Sequence, residues 1–247
     1  MIHTAPSPAA RRDDRRQRTS AEIVDAALAH VEAEGFETLT MQRLAHELGF
    51  AVGALYRYFP SKDGLLLAVQ QRVLEHLGED LGHALTRIDE HARRARLSTK
   101  AQSLLRVLVA VASYRTLPAR RPQHFAMMCR WLGDPRPLVD PAEALPHVPA
   151  LLALLQPIAA LFDEATAAGA LTPGPGHQRL ILMLGALQGV LQLQKLARFG
   201  VATLDVDALA DEASSALCLA WGAERTLLHD LQTRLRRLAP FTPSEPK

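Results

Sequence analysis

Apolar residues recur at helical spacing along most of the chain, and alternating, strand-like runs are sparse. The first helical pattern opens near Ser20, where Ser-Ala-Glu-Ile reads as a cap and an acidic first turn. Ile23, Ala26, Ala27 and Val31 share its apolar face, and Gly35 ends it. Thr40 is a good N-cap for a second helix, with Leu44, Ala45 and Leu48 on one face. Gly49 tolerates the positive φ that closes such a helix, and Phe50 plugs the turn. A third pattern runs from about Val52 to Tyr58 and buries Leu55 and Phe59, four residues apart. Pro60 stops it. Ser61 caps a fourth helix, with Lys62 in its first turn, predicted to reach about Ala84 or beyond.

The remainder is also helical in pattern. Residues 98–114 are strongly apolar, and residues 122–132 form a short amphipathic helix holding Met127, Met128 and Trp131. Residues 133–149 carry five prolines and predict an irregular loop. A helix over 149–168 is expected to kink or restart at Pro157, and residues 172–176 read as a loop. Two helices close the chain, over 177–199 and about 205–238, the second with a bend at Gly222. The first of them is apolar on more than one side, through Leu180, Ile181, Leu184, Leu187 and Leu191, with Gly185, Ala186 and Gly189 between.

Composition narrows the class. A chain of 247 residues with 48% hydrophobic content can bury a sizeable core. No run of 18 or more apolar residues is free of charges or strong breakers, so no membrane partner is expected. The N-terminus lacks the apolar stretch of a signal peptide. Cys129 and Cys218 are far apart and suggest no disulfide framework, which fits a cytoplasmic setting. The first 75 residues hold 9 Lys+Arg against 10 Asp+Glu, so the head is not basic in bulk. Charge is local instead: residues 1–20 carry five arginines against Asp13 and Asp14. Residues 1–19 read as a basic arm, either a flexible leader or a reach toward phosphates or a minor groove.

Residues 40–62 carry the candidate chemistry. Two short helices flank Gly49, the layout of a helix-turn-helix. Gly53 and Ala54 let a backbone approach DNA, Tyr56 and Tyr58 carry hydroxyls suited to phosphate oxygens, and Lys62 opens a helix. Spacing alone leaves two readings, a DNA-binding head and a purely structural hairpin. The string is more specific. Gly35, Phe36, Leu39, Thr40, Leu44, Ala45, Gly49, Gly53, Ala54, Leu55, Tyr56, Tyr58, Phe59, Ser61, Lys62 and Leu65 resemble the N-terminal signature of the TetR family of transcriptional repressors, over residues 20–67.

The resemblance implies an all-α protein: a three-helix DNA-binding head with a helix-turn-helix, then a helical ligand-binding and dimerisation domain over residues 68–240 and a tail over 241–247. It implies a homodimer that binds double-stranded operator DNA with palindromic symmetry and releases it when a small-molecule effector binds. Carried over by position, Thr40, Met41 and Gln42 open the second helix against DNA, and Val52, Gly53, Ala54, Tyr56 and Tyr58 present the third. Lys62 contacts phosphate, and Arg57 either reaches phosphate or only packs. Gln42 suits a bidentate contact to adenine, while Val52 and Ala54 can only read thymine methyls. Ala51 stands where the family often has a Ser or Thr cap, and Val52 where it is often polar, so specificity leans on Gln42, methyl contacts and DNA shape.

The effector side is less defined. Arg115, Met127, Met128, Arg130, Trp131 and Phe162 are candidate pocket residues, with ordinary core and a solvated charged face as the alternatives. With Arg120 and Arg121 the arginines suit an acidic hydrophobic metabolite, an acyl-coenzyme A thioester included. Leu180, Leu184, Leu187, Leu191, Ala213 and Leu217 are candidates for the dimer interface. His76, Glu79, Asp80 and His83 share a helical face, but exposed helices often do, and neither a metal nor a cofactor is expected. The sequence holds no nucleophile elbow, phosphate-cradling glycine loop, HExxH or zinc-spaced cysteine set, which argues against an enzyme.

Overall fold

The computed structural model describes residues 7–133, 142, 145–197 and 205–241, and among them there is no strand: the fold is all-α. Two compact units divide between Glu75 and His76, with the described residues of 136–149 counted in the first.

The first unit is built from α1 (Pro8–Glu34), a 3-10 turn (Phe36–Thr38), α2 (Met41–Glu47), α3 (Val52–Tyr56) and the start of α4 (Lys62–Arg94). Its core joins Ile23, Ala27 and Val31 of α1, Leu44 and Ala45 of α2, Leu55 of α3, and Leu65, Val69 and Val73 of α4. Gly35 and Gly49 turn the chain at φ of 88° and 67°, a region closed to most side chains. One expectation changes here. α1 begins at Pro8, not near Ser20, so the described part of the basic arm is helical. Proline is well suited to a first helical turn, and the Ala, Arg, Asp and Gln that follow contain no breaker. Asp14 and Arg18 add an i,i+4 pair at 2.8 Å.

The second unit is organised around α5 (Thr99–Arg115), which is buried on nearly all sides through Leu104, Leu105, Val107, Leu108, Val109 and Val111. A helix apolar all round needs cover on every face. α9 (Gly176–Gln192), α11 (Val206–Ala220), α12 (Arg225–Leu238) and the short α6 (Leu117–Arg120) all pack against it. α7 (Pro122–Gly133) packs on α6 and α9, and α9 and α11 lie against each other along their lengths. α8 (Val148–Ala167) runs through Pro157 without the restart that the sequence also allowed. Pro157 and Ala153 are both exposed, so water can take the carbonyl that the ring leaves without a partner. By length and composition α8 is the one helix among the described residues apolar enough to cross a membrane, yet its second half is buried through Ala159, Leu161, Phe162 and Ala165. The expected helix over 177–199 turns at Leu193 into α10 (Gln194–Ala197), and residues 198–204 lie outside the described set. Gly222, at φ 87°, breaks rather than bends the last segment into α11 and α12. Most of the proline-rich stretch expected as a loop also lies outside the described residues.

Candidate nucleic-acid interface

The caps predicted for the head are present. Thr40 is extended and its Oγ1 accepts from the Arg43 N–H at 3.1 Å, which starts α2. Ser61 Oγ accepts from the Gly64 N–H at 2.9 Å, which starts α4. Ala51 occupies the N-cap of α3 with φ −66° and ψ 138° but has no side-chain bond to offer. Phe50 N–H donates to the Ala45 carbonyl at 2.8 Å and closes the turn between α2 and α3.

These local structures leave a row of exposed residues across the two helices: Thr40 and Gln42 on α2, Val52, Gly53 and Tyr56 on α3, then Arg57 and Lys62. Ala54 and Tyr58 are half-buried beside them. A Cβ added at Gly53 would meet nothing within 4 Å, so no internal packing requires a glycine there. Met41 is placed differently from the sequence expectation. It is only 5% exposed, because it sits three and four residues before Leu44 and Ala45 and joins their buried face. Its side chain belongs to the core.

The helices are pinned from behind by a polar cluster. The buried His30 of α1 places Nδ1 2.9 Å from Glu47 Oε1 and Nε2 2.9 Å from Thr38 Oγ1. Thr38 Oγ1 donates to the Gly35 carbonyl at 2.8 Å, so the Nε2–H donates to Thr38. Arg43 bridges Glu34 and Glu47, so the one cation next to Gln42 is shared between two carboxylates. His30, Glu34 and Glu47 have ligand-type atoms within 4.8 Å of one another, but the Arg43 guanidinium already bonds both carboxylates.

The sequence places Arg16 only within a basic arm, without a partner in the head. Arg16 Nη2 donates to the Arg57 carbonyl at 3.2 Å, at the C-terminal end of α3. Arg16 therefore stands beside the end of α3, held there by the helical form of this stretch of α1.

In the second unit the candidate effector residues are dispersed. Met127, Met128 and Phe162 are buried in the packed interior, and Phe162 meets Trp221 edge-on at 5.8 Å. Arg130 is exposed and Trp131 half-buried. Arg115 pairs with Asp211 at 3.3 Å, and Arg120 and Arg121 both bind Asp80, at 3.2 and 3.1 Å. Burial works to raise the Asp80 carboxyl, but hydrogen bonds and charge from Arg121 and Arg120 outweigh it and hold the group below its ordinary value. Another polar cluster sits among α5, α7 and α9: Tyr114 Oη donates to Gln188 Oε1, and Gln188 Nε2 donates to Cys129 Sγ at 3.2 Å. Burial pushes both the Tyr114 hydroxyl and the Cys129 thiol up, so the cluster is neutral.

The candidate dimer residues divide. Leu187 and Leu191 are buried within the subunit, which corrects their assignment to an interface. Leu180, Leu184, Ala213 and Leu217 are half-buried. The large apolar side chains that α9 leaves outside are instead Ile181, 66% exposed, and Leu182, 56% exposed.

Fold and site together define an all-α helix-turn-helix protein. Residues 23–69 match the family model described as bacterial regulatory proteins, tetR family. Over 73 residues, 30% of the chain, it is 34% identical to the HTH-type transcriptional regulator BetI of Brucella anthropi, and over 76 residues 33% identical to BetI of Serratia proteamaculans. Each match spans 38% of the relative's length. Among solved structures, the resorcinol complex of RolR aligns with a TM-score of 0.59 at 19% identity, covering 90% of this chain and 96% of that one. A protein of unknown function from Rhodococcus sp. RHA1 aligns with a TM-score of 0.57 at 20% identity, covering 82% and 94%. Over residues 23–69 the head matches the tetR family, and the likeness to these curated relatives is confined to under a third of the chain.

Proposed function

We propose that this chain is a ligand-responsive transcriptional repressor that binds a palindromic operator as a homodimer and is released by a small hydrophobic or acidic metabolite. The observation that carries the DNA reading is Gly53: exposed, between Val52 and Tyr56, with open space where a Cβ would stand. A residue kept small without an internal neighbour suits a surface that another backbone approaches closely. Gln42 is the base reader, Val52 and Ala54 supply methyl contacts, and Tyr56, Arg57, Tyr58 and Lys62 position the head on phosphates. Thr40 adds its cap, and Met41 contributes through its backbone only. Arg16 of α1 adds charge beside the end of α3.

The effector reading is supported by RolR, whose structure holds resorcinol, and by relatives that are themselves regulators. Arg115, Arg120 and Arg121 already have carboxylate partners, which favours a small ligand over one that needs a broad cationic surface, such as an acyl-coenzyme A thioester. Ile181 and Leu182 are apolar surface suited to a second copy of the chain, which supports the dimer. Effector would act by favouring a conformation that binds DNA less well. A cytoplasmic location follows from this reading.

Selection of bound sequences from random duplex DNA tests it, and failure to enrich any palindrome would sink it. Lys62→Gln and Tyr56→Phe are expected to weaken binding to all sequences alike, with Lys62→Gln lowering the salt slope by about 0.9. Gln42→Ala is expected to relax preference at one base position; uniform weakening would contradict its role as a reader.

A further inference from the structure

A cavity of about 370 Å³ lies in the second unit among α5, α6, α11, α12 and the turn after α12. That volume falls at the lower end of the range for small-ligand sites, about 300–1,000 Å³. Leu108, Val111 and Leu235 give it an apolar wall, and Phe241 closes the turn side with the Arg120 guanidinium 4.7 Å from its ring centre. Of the six candidate pocket residues only Arg115 lines it, together with Arg120 of the same arginine group.

The charged lining is unequal: Arg115, Arg120 and Arg236 against the single carboxylate of Asp211. Asp211 is divided, with Oδ1 3.3 Å from Arg115 and Oδ2 3.2 Å from Arg236. Arg120 is fully engaged by Asp80, the Thr116 hydroxyl and the Ser113 carbonyl. Arg115 differs. Its second carboxylate, Asp207, is 3.8 Å away with an 80% exposed side chain. Such a pair contributes little, because water competes for the anion. A carboxylate arriving on an apolar body can replace Asp207 and make a charge-assisted contact in a drier setting.

We propose that this cavity binds a small amphipathic carboxylate, with its apolar body against Leu108, Val111 and Leu235 and its carboxylate on Arg115 in place of Asp207. This rests on the effector reading and gives it a location and a ligand chemistry. The ligand touches no residue of the head.

The test is calorimetric titration of the full chain with octanoate, decanoate and phenylbutyrate, each beside its primary amide. At least one acid is expected to bind, with its amide about tenfold weaker or more, as loss of a charge-assisted hydrogen bond implies. Arg115→Gln should bring the acid down to the affinity of its amide. Ala119→Trp, a change at an exposed lining residue, should abolish binding of both by filling the cavity while leaving the ligand-free melting temperature near that of the parent. Amides that bind as tightly as acids overturn the carboxylate assignment. Binding that survives Ala119→Trp overturns the site, and a panel without any binder overturns both. DNA binding is scored separately by the duplex selection, so loss of the repressor reading leaves the titration readable, and the reverse.

Discussion

Installing the missing cap on α3 is the most direct measure of how this helix is held. Ala51 is exposed and already has the extended backbone of an N-cap, so Ala51→Ser requires no rearrangement. The Ala54 N–H donates to the Ala51 carbonyl at 2.8 Å, and the Leu55 N–H reaches the same oxygen at 3.4 Å. A serine hydroxyl would therefore serve mainly the Gly53 N–H, one of the first-turn donors that helix geometry leaves for a cap. Because Ala54 is already satisfied, the gain should fall in the lower part of the usual range, about 0.5–1 kcal/mol. Amide hydrogen exchange on the full chain reads this locally, as roughly two- to fivefold slower exchange at Leu55 and Tyr56 if α3 opens as a unit. Thr40→Ala is the mirror experiment: it removes the bond to Arg43 N–H and should speed exchange at Leu44 and Ala45 by about fivefold, equivalent to roughly 1 kcal/mol. Unchanged protection in α3 of Ala51→Ser, with the expected loss in α2 of Thr40→Ala, would refute the view that α3 is under-capped.

Ile181→Glu combined with Leu182→Glu is expected to give monomers by analytical ultracentrifugation, whereas Leu187→Ala should lower subunit stability by about 2–5 kcal/mol; an unchanged dimer in the double variant would remove α9 from the interface. The depressed Asp80 carboxyl contributes stability that is complete above its unfolded value and is lost as pH falls below about 4. Asp80→Asn should accordingly be less stable at neutral pH and show a flatter decline on acidification; parallel denaturation curves for parent and variant would contradict this. Burial pushes the Cys218 thiol up to about 12, with Arg179 opposing only in part. At pH 8 native Cys218 should stay unalkylated while the more accessible Cys129 reacts slowly, and equal labelling of the two by mass spectrometry would sink the assignment.

Much of the head was legible because short-range chemistry specifies it. Thr40, Gly49 and Ser61 act within three or four residues of themselves, and each does what its type predicts. Met41 was equally readable, since Met41, Leu44, Ala45 and Leu48 form one helical stripe; the family carry-over obscured it. The start of α1 is hidden because a good internal cap sequence at Ser20 outweighs the absence of any breaker between Ala9 and Thr19. Pro157 does not end α8, because both it and Ala153 are exposed and water can serve the carbonyl that loses its donor. α9 was ambiguous for a different reason. A helix apolar on several sides carries no periodic sign of which side meets its own core and which meets a partner, so Leu187 and Ile181 look alike in the sequence. The arginines of α5 and α6 find Asp80 and Asp211 across long separations that no local pattern encodes.

The contact from Arg16 to the Arg57 carbonyl has a practical side. α1 runs without interruption from Pro8, so its start lies eight residues, about 12 Å along the helix, from the contact that Arg16 makes with the end of α3. A polyhistidine tag there would add titratable positive charge within reach of the same duplex, steepening salt dependence and inflating affinity for arbitrary sequences. Operator measurements on this protein therefore call for an untagged α1.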